Sequence, residues 1–237
     1  MSQKLKFVFF GSLFLVLFNC TCKRSHAQSS DKGGGLEPQK IFGEVNLLSN
    51  YVEKGLTQSD EKFSVQATLG YRWVYFKAGM QGSSVTFPGN QENVNLKAFA
   101  SYQFIWTQNA DMTFRYDYSK YFASAQRDGN IFGFDINLFT YHMLIEKMDN
   151  WQGTKTNANY FGFRKDRPIP WNLIWDFSVG YTMLSVDGYN NYFDVKTGIS
   201  YKYKEIGYSL NATYTSAASQ LNGAGDLFGY VGLHARF

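Results

Sequence analysis

Asp226–Phe237 (DLFGYVGLHARF) is the stretch whose reading decides the fold. Counting back from Phe237, the residues Ala235, Leu233, Val231 and Gly229 share one face of an extended strand, and Arg236, His234, Gly232 and Tyr230 share the other. An apolar stripe ending on an aromatic ring suits the closing strand of an outer-membrane barrel. Such a strand completes the sheet, faces lipid on alternate residues and sets a ring at the membrane interface. Phe237, Leu233 and Val231 also match the residue pattern read by the barrel assembly machinery, which makes that machinery an expected partner.

The other end of the chain reads as an export signal over residues 1–27. Lys4 and Lys6 precede a short apolar run, Phe7–Phe18, and Ser25-His26-Ala27 places small residues where a signal peptidase cuts. The run is too short to span a bilayer as a helix. Cys20 offers a second reading, cleavage before a lipidated cysteine, although Leu17-Phe18-Asn19 lacks the small residues usual there. Residues 28–40 (QSSDKGGGLEPQK) are polar and Gly-rich and read as a flexible periplasmic lead-in to a barrel over 41–237.

Removal of the signal changes the charge balance. It holds four of the 23 Lys and Arg residues and none of the 19 acids, so the remainder carries 19 of each sign. With no net positive field, a nucleic-acid role is rejected. Both cysteines lie in the signal, which removes disulfide, thiol and cysteine-ligated metal chemistry from the mature chain.

From Ile41 onward, apolar and polar residues alternate between turn signals. Phe63, Val65, Ala67, Leu69 and Tyr71 stand against Ser64, Gln66, Thr68, Gly70 and Arg72; similar runs include Phe132–Leu138, Trp171–Tyr181 and Ile206–Tyr214. A first count gives eleven segments, whereas a single-chain barrel with both ends on one side needs an even number. The segment 130–148 is the anomaly. At roughly 3.3 Å per residue it would extend about 63 Å, far beyond the roughly 9–11 residues of a tilted membrane strand, so it splits near Thr140-Tyr141. The expected fold is an all-β, transmembrane, antiparallel up-and-down barrel of about twelve strands. Those strands lie near 41–54, 62–73, 75–87, 92–105, 110–121, 130–139, 141–149, 156–164, 171–184, 190–203, 205–216 and 226–237. Short turns are expected on the periplasmic side and longer loops outside, with Lys165–Pro170 (KDRPIP) as a long inner turn.

The opening strands carry a resemblance. Ser49–Ser59 (SNYVEKGLTQS), followed by Val65-Gln66 and by Gly79–Val85 (GMQGSSV), resembles the start of TorF-type porins, with their Ser-x-Tyr-Val-x-Arg-Gly-x-Ser stretch. Lys54 stands where Arg is usual and Thr57 where Ser is usual. The resemblance implies an outer-membrane porin-type barrel and names no solute.

If the apolar stripes face lipid, the inward set includes Glu44, Arg72, Lys77, Lys97, Arg115, Asp117, Asp135, Asp176, Asp194, Lys196, Lys202 and Arg236, seven basic and five acidic. Such charges either line a polar pore that passes small polar solutes or ions, or pair across the interior and plug it. Eight strands are just filled by side chains and sixteen leave a channel, so at twelve the packing decides. A closed structural or adhesion barrel and a soluble barrel remain as alternatives. A hydrolase would need a nucleophile, base and orienting group, yet His142 and His234 show no such spacing with Ser and acid; no catalytic residue, cofactor or metal site is expected.

Overall fold

A computed structural model of the chain describes residues 40–87, 93–123, 125–185, 188–216 and 225–237. The signal and lead-in expectations for 1–39, and the loop tips at 88–92 and 217–224, lie outside the described residues. Among the described residues no helix is long and apolar enough to cross a membrane.

The strands in chain order are β1 (Lys40–Leu48), β2 (Val52–Glu53), β3 (Leu56–Thr57), β4 (Ser64–Trp73), β5 (Phe76–Val85), β6 (Asn93–Thr107), β7 (Ala110–Tyr121), β8 (Gly129–Leu138), β9 (Tyr141–Met148), β10 (Ala158–Ile169), β11 (Leu173–Leu184), β12 (Tyr192–Tyr203), β13 (Ile206–Thr215) and β14 (Leu227–Arg236). All but β2 and β3 form a closed antiparallel barrel of twelve strands. Each barrel strand pairs with its neighbours in sequence, and β14 closes on β1 with Val45 opposite Ala235 and Leu47 opposite Leu233. The seam continues past the last strand residue. Gly43 N–H donates to the Phe237 carbonyl at 2.8 Å, and Phe237 N–H returns the bond to the Gly43 carbonyl at 3.1 Å. The Phe237 ring covers Gly43 so closely that a Cβ there would collide with it.

Alternation explains the closure. In β4, Ser64 and Gln66 are 0% and 6% exposed, while Val65 and Leu69 are 43% and 61% exposed. Hydrocarbon is the medium in which that exterior is favourable, and exposed aromatic residues reach both of its ends. Tyr71, Trp73, Tyr203 and Trp171 lie toward the short-turn end, and Phe63, Phe193 and Tyr214 toward the long-loop end.

The expected split of 130–148 is present, with β8 and β9 joined at Phe139-Thr140. Two segments differ from expectation. Lys165–Ile169 belongs to β10, because Pro168 lies beyond Lys165, the last β10 residue paired with β9, and only β11 continues alongside. A proline there removes a donor the ladder does not use on the open side. The first strand stops at Leu48 rather than running to residue 54. The chain then makes a separate hairpin of β2 and β3, joined by Lys54-Gly55 with φ of 51° and 77°. Positive φ at both central residues is the turn geometry that matches strand twist in a two-residue hairpin.

Candidate functional site: a hairpin crossing the barrel

The hairpin grows from the junction of β1 and β4, and its contacts lie on the opposite side of the ring. Lys54 Nζ is 2.9 Å from Glu146 Oε2 on β9 and lies 5.5 Å over the Tyr160 ring on β10. In the strand order, β9 and β10 are the pair farthest from the β1–β4 junction. The hairpin is therefore a bar across the lumen.

Its base is tied internally. Asn50 Oδ1 accepts from the Thr57 hydroxyl at 2.6 Å and from the Ser59 hydroxyl at 3.2 Å, and Gln58 N–H donates to the Tyr51 carbonyl at 2.6 Å. A bond from Thr86 N–H to the Gln58 carbonyl at 2.9 Å and a β-bridge between Leu56 and Gly225 tie it to the rest of the barrel. The tip is held by packing: Leu56 is buried against Met148, Trp151, Ala158, Tyr160 and Tyr192. Gly55 sits so near β12 and β13 that a Cβ would lie 2.6 Å from Asp194 Cβ and 2.9 Å from Thr215 Cβ.

Charge fixes the turn of the bar as well. Lys54 also contacts Glu53 at 3.1 Å, and Glu53 lies 4.0 Å from Lys97 of β6 and accepts from the Tyr51 hydroxyl at 3.0 Å. Glu146 is paired in addition with Arg115 of β7, whose Nε is 3.0 Å from Asp117. Three cations and three carboxylates form one network with no net charge. Lys97 and then Lys54 hold the Glu53 carboxyl well below the usual carboxylate range. Burial works to lower the Lys54 ammonium, but Glu146 and Glu53 outweigh it and raise that group above the usual lysine range.

Three of the residues expected to be inward, Lys97, Arg115 and Asp117, thus meet in this network, and Asp194 lies beside Gly55 at its edge. The remainder are spread along the barrel. Lys196 faces Asp176 at 3.8 Å, and Arg236 donates to Glu44 at 3.0 Å across the seam. Arg72 lies 5.9 Å over the Phe42 ring, and Lys202 is exposed at the short-turn end. Lys77 and Asp135 line a cavity of about 290 Å³ on the short-turn side of the network, with Tyr75, Ser101, Gln103 and Thr113 among its other walls.

Glu53, Lys54 and Glu146 were not legible as site residues. In Tyr141–Met148 the two faces of the strand are almost equally apolar, so parity alone does not turn Glu146 inward. Lys54-Gly55 between Val52 and Leu56 was the available hairpin signal.

The structure also brings Ser209, His234 and Asn46 together, at 3.1 Å for Ser209 Oγ to His234 Nε2 and 2.7 Å for His234 Nδ1 to Asn46 Oδ1. The spacing is that of nucleophile, base and orienting group. Ser209, however, lies mid-strand, paired on one side with Ser200 and on the other with Gly232. Its surrounding N–H groups are committed to the ladder and offer no oxyanion donors. The trio reads as a polar tie across the β13–β14–β1 seam. Among the described residues no group of three or more His, Cys, Asp or Glu could hold a metal ion.

No protein-family model matches the sequence and no curated protein matches it, so the TorF-type likeness of the opening strands stays a resemblance. Solved structures do match in fold. One chain, from a structure reported as "Unveiling the Mechanism Behind the in-meso Crystallization of Membrane Proteins", is 11% identical with a TM-score of 0.54, over 83% of each chain. The Acinetobacter baumannii outer membrane protein Omp33 is 11% identical with a TM-score of 0.46, over 86% of this chain and 99% of that one. Pseudomonas aeruginosa OccK7 (OpdD) is 9% identical with a TM-score of 0.42; 84% of this chain is covered, and only 64% of the longer OccK7. At these identities the likeness with a TM-score above one half speaks to architecture alone, and the architecture is a closed transmembrane barrel of twelve antiparallel strands.

Proposed function

We propose that the chain is an outer-membrane, porin-type channel in which small polar solutes or ions pass through a narrow lumen of mixed charge. The observation that carries this reading is the bar itself. Filling a barrel needs only apolar side chains, whereas here a two-stranded insertion carries ionised groups across the full diameter and meets partners of both signs on the far wall. Pairing lowers the cost of holding these charges inside, yet apolar side chains would fill a bore at no such cost, so a balanced ionic network suits a constriction better than a plug. The proposed lining comprises Glu44, Arg72, Lys77, Lys97, Arg115, Asp117, Asp135, Asp176, Asp194, Lys196, Lys202 and Arg236, joined by Glu53, Lys54 and Glu146. Residence in the bacterial outer membrane, delivery there by the barrel assembly machinery and contact with its lipid follow from the same reading. So do an N-terminal signal over 1–27 and an assembly role for Phe237, Leu233 and Val231.

The test is planar-bilayer recording under asymmetric salt. In an open lumen Arg115→Glu and Lys97→Glu each move the reversal potential toward cation preference. Unchanged potentials in both variants refute the assignment. A closed barrel is the second reading, favoured by the burial of Leu56 with Trp151 and Tyr192 at the long-loop end. A folded, heat-modifiable protein that leaves the bilayer electrically silent decides for it.

A further inference from the structure

Because Lys165–Ile169 continues β10 instead of turning, its side chains alternate between the two faces of the wall. Arg164 and Asp166 take the inner face, where their charges are matched: Asp166 lies 2.9 Å from Arg164 Nη2 and 3.3 Å from His142 Nε2. Lys165 and Arg167 take the outer face. Lys165 Nζ stands 4.6 Å over the ring of Tyr141, which is exposed on the lipid side together with its stacking partner Phe163. Arg167 is exposed two residues further on, opposite Trp175 of β11.

Nothing on that face balances the two charges. The Tyr141 hydroxyl accepts one hydrogen bond from Lys165 Nζ at 2.9 Å, which leaves two ammonium donors free and the charge intact. Among the described residues neither base forms an ion pair, and the outward faces of the flanking strands β9 and β11 hold no acid. Two like charges roughly 6.6 Å apart, at about 3.3 Å per residue, repel each other where water is scarce. Their long stems carry both heads to the membrane surface, at a level marked by Trp171, which is 85% exposed. The opposite end of the wall lacks this arrangement. Lys120 of β7 and Lys147 of β9 also face outward there, but β8 separates them and an acid, Asp149, follows two residues after Lys147.

We infer that Lys165 and Arg167 form the head-group site of an anionic glycerophospholipid, with the phosphate between guanidinium and ammonium and the acyl chains along Phe163, Phe161 and Met143. A guanidinium fork matches two phosphate oxygens, and the ammonium adds a third charge-assisted contact. The exposed rings continuous with the basic pair favour a lipid over a free anion, which has no use for an apolar surface. The inference rests on the membrane barrel and is independent of whether the lumen conducts.

The experiment uses the full barrel in non-ionic detergent, with folding checked by the heat-dependent gel shift, and native mass spectrometry with phosphatidylglycerol as the probe. Zwitterionic phosphatidylcholine with the same chains is the control. The parent retains phosphatidylglycerol about tenfold or more tighter than phosphatidylcholine, the effect of two bases beside one net negative charge. Lys165→Gln with Arg167→Gln removes most of that preference, Arg167→Gln alone removes part of it, and Lys120→Gln with Lys147→Gln leaves it in place. Equal retention of the two lipids by the parent overturns the inference, and so does an unchanged preference in folded barrels lacking Lys165 and Arg167. Displacement of phosphatidylglycerol by an equal concentration of inorganic phosphate overturns it as well, since the site would then take free anions. A silent barrel that keeps the preference loses the channel and keeps this surface; a conducting barrel without the preference does the reverse.

Discussion

Reversing the charge at the tip of the bar, Lys54→Glu, separates a hairpin held by ion pairing from one held by packing. Lys54 lies 2.9 Å from Glu146 and 3.1 Å from Glu53. At an effective dielectric of about 20, opposite unit charges at such separations attract by about 5 kcal/mol per pair, and the substitution turns both attractions into repulsions of that size. Few contacts oppose the change. Burial of Leu56 contributes roughly 1.5–3 kcal/mol. The bond from Thr86 N–H to the Gln58 carbonyl and the bridge between Leu56 and Gly225 add about 1 kcal/mol each. The bonds to Asn50 lie within the loop and travel with it. Repulsion therefore exceeds anchorage, and the tip leaves the lumen. Unit conductance in Lys54→Glu rises by roughly twofold or more with a bias toward cations. A Leu56→Cys reporter, with Cys20 and Cys22 changed to Ser, is shielded from maleimide when Lys54 is retained and labelled when Lys54→Glu is added. Parental conductance together with a reporter thiol that stays shielded would refute the electrostatic account of the bar.

Three further outcomes follow from the same contacts. Gly55→Val adds a β-branched side chain at a φ of 77° against Asp194 and Thr215, so it displaces the tip without altering charge: conductance rises while the reversal potential stays at the parental value. For pH, the lowered Glu53 group contributes stability that is present above the ordinary carboxylate range and lost only as pH falls below it; the raised Lys54 group contributes stability that is lost only above the ordinary lysine range. The bar accordingly stays seated between about pH 5 and pH 9, and a Leu56→Cys reporter that becomes labelled within that window counts against the pairing. Deleting Phe237 removes two seam hydrogen bonds and the ring over Gly43, and the heat-modifiable fraction in outer membranes falls severalfold; parental yield would exclude an assembly role.

The strands were legible because lipid outside and charge inside enforce a period of two, and a misplaced phase would put Arg115 or Asp117 into hydrocarbon. Length did the rest: nineteen residues over 130–148 cannot form one membrane strand, and the structure divides them at Phe139-Thr140. What escaped was non-local. Val52–Thr57 alternates as the first strand does, and nothing along the chain announces that Lys54 finds its counter-ion on β9, far later in the sequence. In the same way, Pro168 punctuates the sequence as a turn although it sits where the ladder has a neighbour on one side only. Periodicity reports the medium on each side of a strand; it does not report which loop is drawn into the interior.

The placement of the bar has a temporal consequence. Its root lies between the first two strands of the barrel, while its resting places, Glu146, Tyr160, Asp194, Thr215 and the bridge from Leu56 to Gly225, all belong to segments that emerge from the ribosome afterwards. An unfinished sheet offers Lys54 no destination. The hairpin made near the beginning is thus among the last parts to find its seat, and the bore narrows only once the cylinder is whole.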